Sequence, residues 1–98
     1  MERSKALAEI ARREDELKLR GAASVFLFGS TARGEATASS DLDIFIDVVP
    51  DRKFSLIDLA GIEIFLVDQL GVPVDVTTRD SLHPKLRAAI EYEAVRAF

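Results

Sequence analysis

The stretch Phe28-Gly-Ser-Thr-Ala-Arg-Gly-Glu-Ala-Thr-Ala-Ser-Ser-Asp-Leu-Asp-Ile-Phe-Ile-Asp47 decides how this chain is read. A Gly-Ser pair follows an apolar run, and Asp-Leu-Asp opens a second run rich in Ile, Val and Phe. Side chains alternate along a strand, so Asp41 and Asp43 share one face while Leu42 and Ile44 turn to the other. Like charges that close repel unless a cation or a proton lies between them. A set of oxygen ligands of this density suits Mg²⁺ or Mn²⁺ rather than zinc.

Working outward, Ser24–Phe28 reads as a short, fully buried strand and Thr31–Ser40 as a helical turn with a loop. Leu42–Val49 is the second strand, stopped by Pro50. Ser55 with Asp58 three residues on resembles a capping box, and a helix is expected from there to about Leu70, ended by Gly71 and Pro73. Val74–Thr78 is β-branched at nearly every position and reads as the third strand. Residues 3–20 carry Leu7, Ile10, Ala11 and Leu17 at helical spacing up to Gly21. Pro84–Ala97 reads as the last helix, with Leu86, Ile90 and Val95 toward the core. The expected order is α-β-β-α-β-α: an α/β (α+β) fold with a small mixed sheet and helices packed on it, one domain over residues 1–98.

Composition narrows the function classes. The chain has 98 residues, a formal net charge of −4 and no cysteine. A domain this small buries only about 60–65% of its unfolded surface, so association with a second copy or a partner would help it. A grip on a nucleic-acid backbone normally brings a basic surplus, so direct nucleic-acid binding is disfavoured. The lack of cysteine excludes disulfides and thiolate zinc sites and fits a cytoplasmic setting. No apolar run approaches the roughly 20 residues a helix needs to cross a bilayer, so no membrane role is expected.

The chemistry concentrates in a few side chains. Asp75, in Pro-Val-Asp-Val-Thr, faces away from Val74 and Val76. If its strand lies beside the second, Asp75 can approach Asp41 and Asp43. Three such acids could hold two divalent ions roughly 3.5–4 Å apart, the arrangement used for in-line phosphoryl displacement. An isolated strand-end aspartate is ordinarily solvated; the Asp-x-Asp pair with a third acid is what argues for a metal site. Gly29 lets the backbone approach a ligand, and Ser30 adds a hydroxyl at a helix start. Arg33 could pair with a phosphate or with Glu35 or another surface acid. Ser39 and Ser40 could bond to the carboxylates or form a turn. Asp47 is expected as a solvated strand end, His83 as a surface or capping residue, and Tyr92 as a half-buried ring.

The pattern Gly29-Ser30, Asp41-Leu42-Asp43, Asp75 resembles the polymerase-β-like nucleotidyltransferase superfamily. The fuller Leu-Phe-Gly-Ser-x-Ala-Arg-Gly string, Val-Asp-Val-Thr and the closing Pro-Lys-Leu-Arg-x-x-Ile-x-x-Glu-Ala resemble its minimal nucleotidyltransferases, the antitoxins of HEPN/MNT toxin–antitoxin pairs. The resemblance implies AMP transfer from ATP to a tyrosine of a HEPN-domain toxin, with two Mg²⁺ ions. It implies that Asp41 and Asp43 bridge both ions and that Asp75 completes the site of the ion activating the attacking hydroxyl. Gly29 and Ser30 would hold the β- and γ-phosphates, with Arg33 assisting. Two other readings stand beside it. One is a binding module that silences its partner by occlusion; the other is a nucleotidyltransferase subunit for small molecules.

Overall fold

The computed structural model describes residues 1–37 and 39–98. Four strands form one sheet in the order β3-β2-β1-β4: β1 (Ala22–Phe28), β2 (Leu42–Val48), β3 (Val74–Thr78) and β4 (Val95–Arg96). β1 runs antiparallel to β2 and β4, whereas β2 and β3 are parallel, joined by the helix α4 (Leu56–Leu70). Parallel neighbours require such a crossover. The mixed sheet and its helices agree with the sequence reading.

One face of the sheet carries the core. Val25 and Leu27 of β1, Leu42, Ile44 and Ile46 of β2, and Val74 and Val76 of β3 are buried there against Ile62 and Leu66 of α4. The helices α1 (Arg3–Ala11) and α2 (Glu14–Leu19) add Ala6, Ile10 and Leu17 to the same core. The expected helix over 3–20 is therefore two. The Arg13 N–H reaches Ile10 O rather than the carbonyl four residues back, and its guanidinium takes Glu9 O at 2.7 Å. Side-chain capture of a helical carbonyl is a recognised cause of a bend.

The ends of α4 form as the sequence reads. Ser55 Oγ accepts from the Asp58 N–H while Asp58 accepts from the Ser55 N–H, a reciprocal box at the first turn. Gly71 closes the helix at φ 70°, a left-handed conformation that a Cβ makes costly. Glu63 of α4 accepts the Val76 N–H at 3.1 Å, which satisfies a donor on the outer edge of β3.

The opposite face is amphipathic, so β1 alternates rather than being buried throughout. Phe26 stacks on Phe45 of β2 with ring centroids 4.8 Å apart, and Phe28 lies 5.8 Å from the same ring. A short helix, α5 (Arg87–Glu93), lies near β1, preceded by a 3₁₀ turn at Arg79–Ser81. α5 is shorter than the sequence suggests, because Val95 and Arg96 leave it to pair with Leu27 and Phe26. Leu86 is exposed rather than in the core, and Tyr92 is 94% exposed rather than half-buried. No helix among the described residues is long and apolar enough to cross a membrane.

Candidate active site

At the end of the amphipathic face, register brings two of the acids, Asp43 and Asp75, together. Asp43 lies directly opposite Phe28 of β1 and directly beside Asp75 of β3. Asp41 precedes β2 by one residue and, with Asp75, is exposed; Asp43 is half-buried. Burial pushes the Asp43 carboxyl above its ordinary pKa, and the charges of Asp75 and then Asp41 push it further. Arg33 opposes this, and Glu93 adds to it. The result is a concentrated negative potential on an all-oxygen donor set. Those donors fit a hard divalent cation. Among the described residues, no three metal-ligating side chains are drawn into one preformed shell.

Gly29 abuts this cluster. β1 ends at Phe28 and the one-turn helix α3 (Gly29–Ala32) begins at once, with Gly29 at φ 74°. A Cβ there would fall inside contact distance of the Asp43 carboxylate oxygen and only 3.1 Å from its Cγ. The site therefore needs glycine twice over, for its backbone angle and for the space Asp43 occupies. Ser30 follows, half-buried, and its carbonyl accepts the Glu35 N–H at 2.8 Å, folding the loop back. Arg3 of α1 donates to Ala32 O at 3.0 Å, tying the first helix to this turn.

Of the two partners open to Arg33, the surface acids hold it here. Its Nε donates to Glu35 at 3.1 Å and its Nη1 lies 3.2 Å from Glu93. Ser39 and Ser40 form a turn with Thr37, whose N–H donates to Ser40 Oγ at 2.9 Å. Ala38, within the expected loop, lies outside the described residues. His83 is a local cap: its Nδ1 accepts the Lys85 N–H at 3.2 Å.

Two residues were not singled out from sequence. Arg79 lies over Phe26 and Phe45, its Cζ 4.8 and 4.9 Å from the ring centroids. It forks onto Asp47 at 2.7 and 3.0 Å and reaches Glu91 of α5 at 2.5 Å. Asp47 is thus an anchored partner rather than a solvated strand end. Glu93, the last residue of α5, accepts the Gly29 N–H at 3.1 Å. Its only sequence signal was its place in the closing Ile-x-x-Glu-Ala string.

Residues 5–97 match the nucleotidyltransferase domain family. A Methanocaldococcus jannaschii protein provisionally named a protein adenylyltransferase is 40% identical over 73 residues, spanning 74% of this chain and 72% of the relative. The protein adenylyltransferase MntA of Thermococcus cleftensis is 33% identical over 75 residues, spanning 76% of this chain and 74% of its own length. A solved structure, provisionally described as a minimal nucleotidyltransferase, superposes with a TM-score of 0.74 at 39% identity, covering 97% of this chain and 95% of the other. A Gly-Ser turn set against paired strand acids thus stands in a chain that matches the nucleotidyltransferase domain over residues 5–97. It belongs to the nucleotidyltransferase domain family, an enzyme of the minimal type.

Proposed function

We propose that this chain transfers AMP from ATP onto a hydroxyl of a partner protein, a tyrosine of a HEPN-domain toxin, and thereby acts as its antitoxin. The observation that carries the reading is the Gly29 turn seated on Asp43 with Asp75 in register beside it. Relatives bearing the name protein adenylyltransferase support the protein acceptor. A chain of a toxin–antitoxin complex solved with AMP-PNP has the same fold, with a TM-score of 0.72 at 19% identity.

In this reading Asp41, Asp43 and Asp75 would hold Mg²⁺, which when bound would supply charge neutralisation at the triphosphate and polarisation of the attacking hydroxyl. Asp43 and Asp75, fixed by adjacent strands, set where the α-phosphate lies. Gly29 and Ser30 offer a backbone N–H and a hydroxyl to the β- and γ-phosphates, and Arg33 adds a charged donor. The acceptor oxygen bonds to the α-phosphorus, the bond to the β-phosphate oxygen breaks, and pyrophosphate leaves. The hydroxyl proton passes to solvent. Most of the work is positioning and charge neutralisation. Residues 1–98 act as one domain, and the acceptor surface comes from the partner.

Intact mass spectrometry of a HEPN-domain partner after incubation with this protein and Mg-ATP tests the reading. An AMP-sized increment that needs Asp41 and Asp43 is expected. A stable complex that neutralises the toxin with no increment would replace transfer by occlusion.

A further inference from the structure

Glu93 lies where the proposed function puts polyphosphate. Its Oε1 accepts the Gly29 N–H at 3.1 Å, and its two oxygens lie 3.3 and 3.2 Å from Arg33 Nη1. A carboxylate gripping a turn N–H and an arginine reproduces the contacts that a phosphate group would make. Both anions cannot hold the same donors. The local charge makes this competition matter, because Asp41, Asp43 and Asp75 already crowd the same end of the sheet.

The helix that carries Glu93 is held independently of it. Glu91 is bonded to Arg79, which is itself fixed between Asp47 and two phenylalanine rings. Glu93 is the final residue of α5, so a side-chain rotation withdraws its carboxylate while the helix stays anchored. The Glu93 side chain is 27% exposed, which leaves room for that rotation.

We propose that Glu93 is an internal occupant of the phosphate subsite. A nucleoside triphosphate must displace it, and it bars triphosphate that arrives without a divalent cation. This rests on the reading of Gly29, Ser30 and Arg33 as the nucleotide-binding turn. A metal-free triphosphate meets Glu93 as well as the three aspartates. A cation-bound one brings charge that offsets them. Glu93 therefore couples nucleotide entry to the metal, and by linkage that coupling is reciprocal.

AMP-PNP binding measured by calorimetry, with EDTA or with saturating Mg²⁺, tests this in wild type, Glu93→Gln and Glu35→Gln. Glu93→Gln keeps an acceptor for the Gly29 N–H and removes the charge. Metal-free AMP-PNP is expected to bind it about tenfold tighter, and Mg²⁺-bound AMP-PNP, whose cation already offsets the carboxylate, to tighten less, so the gain from Mg²⁺ shrinks. Glu35→Gln, at a carboxylate that pairs with Arg33 and is not bonded to the Gly29 N–H, should change metal-free binding less than about threefold. Unchanged or weaker metal-free binding to Glu93→Gln overturns the inference. So does weakening seen only with Mg²⁺, which would make Glu93 a metal ligand instead. No binding to wild type under either condition defeats the nucleotide reading itself. Should Glu93→Gln not fold, titrating wild type with inorganic tripolyphosphate gives a second readout. The Gly29 amide and Glu93 carboxyl resonances must then move together; a moving amide with a static carboxyl contradicts displacement.

Discussion

Asp43→Asn should stabilise the metal-free protein while disabling it. Asp43 sits beside Asp75 on adjacent strands, and burial, then the like charge of Asp75, raises its pKa. Strands lie about 4.8 Å apart, where two unit charges repel by about 0.9 kcal/mol in water and about 3.5 kcal/mol at an effective dielectric of 20. Asp75 is exposed, so solvent screening holds the gain near the lower figure, about 1 kcal/mol. Thermal unfolding of a domain this size shifts by about 4–8 °C for each such unit. Calorimetric scans in EDTA should show the variant melting higher than wild type by about that amount. Adding Mg²⁺ with AMP-PNP should reverse the order. At a hundredfold excess over Kd, wild type gains about 2.7 kcal/mol and the variant little of it. A variant that melts lower than wild type in EDTA, or at the same temperature, would refute the claim that repulsion is stored at this site.

Gly29→Ala sets a Cβ against the Asp43 carboxylate at a positive φ, so a loss of about 1–3 kcal/mol and of AMP-PNP binding is expected; denaturant melts and calorimetry check it. Arg79→Ala removes the clamp between Asp47, two rings and Glu91, and should cost about 1–2 kcal/mol. Hydrogen exchange should then quicken in α5 more than in α4, a difference that a merely global loss would not give. Acidification acts through Asp43. Its raised pKa means that the folded state binds this proton more tightly than the unfolded chain does. Its strain is therefore present at neutral pH and relieved as pH falls through the raised value. Mg²⁺ affinity, read by calorimetry, should decline on that same descent, starting above the range of an ordinary aspartate near 3.8.

Much of this was legible because the signals are local. The alternation of Leu42-Asp43-Ile44 fixes which side chains face the core. The β-branched Val74–Thr78 and the reciprocal Ser55–Asp58 contacts fall where sequence places them. The parallel pairing of β2 with β3 then follows from the crossover helix between them. What stayed hidden depends on distant contacts. β4 is two residues long and has no period to read; it exists because β1 offers it an edge. The break after Ala11 comes from one arginine competing for a helical carbonyl. Arg79 looks like any charged residue after a strand until Phe26, Phe45, Asp47 and Glu91 converge on it. Glu93 reaches Gly29 across 64 positions of sequence, a pairing that no local pattern encodes.

ATP carrying radioactive phosphorus at either the α or the γ position, incubated with this protein, Mg²⁺ and a HEPN-domain partner, tests nucleotidyl transfer most directly. Label from the α position alone should become covalently fixed to the partner, and Asp43→Asn should abolish it. Transfer of the γ label, or α labelling that survives Asp43→Asn, would contradict a nucleotidyltransferase centred on Asp41, Asp43 and Asp75.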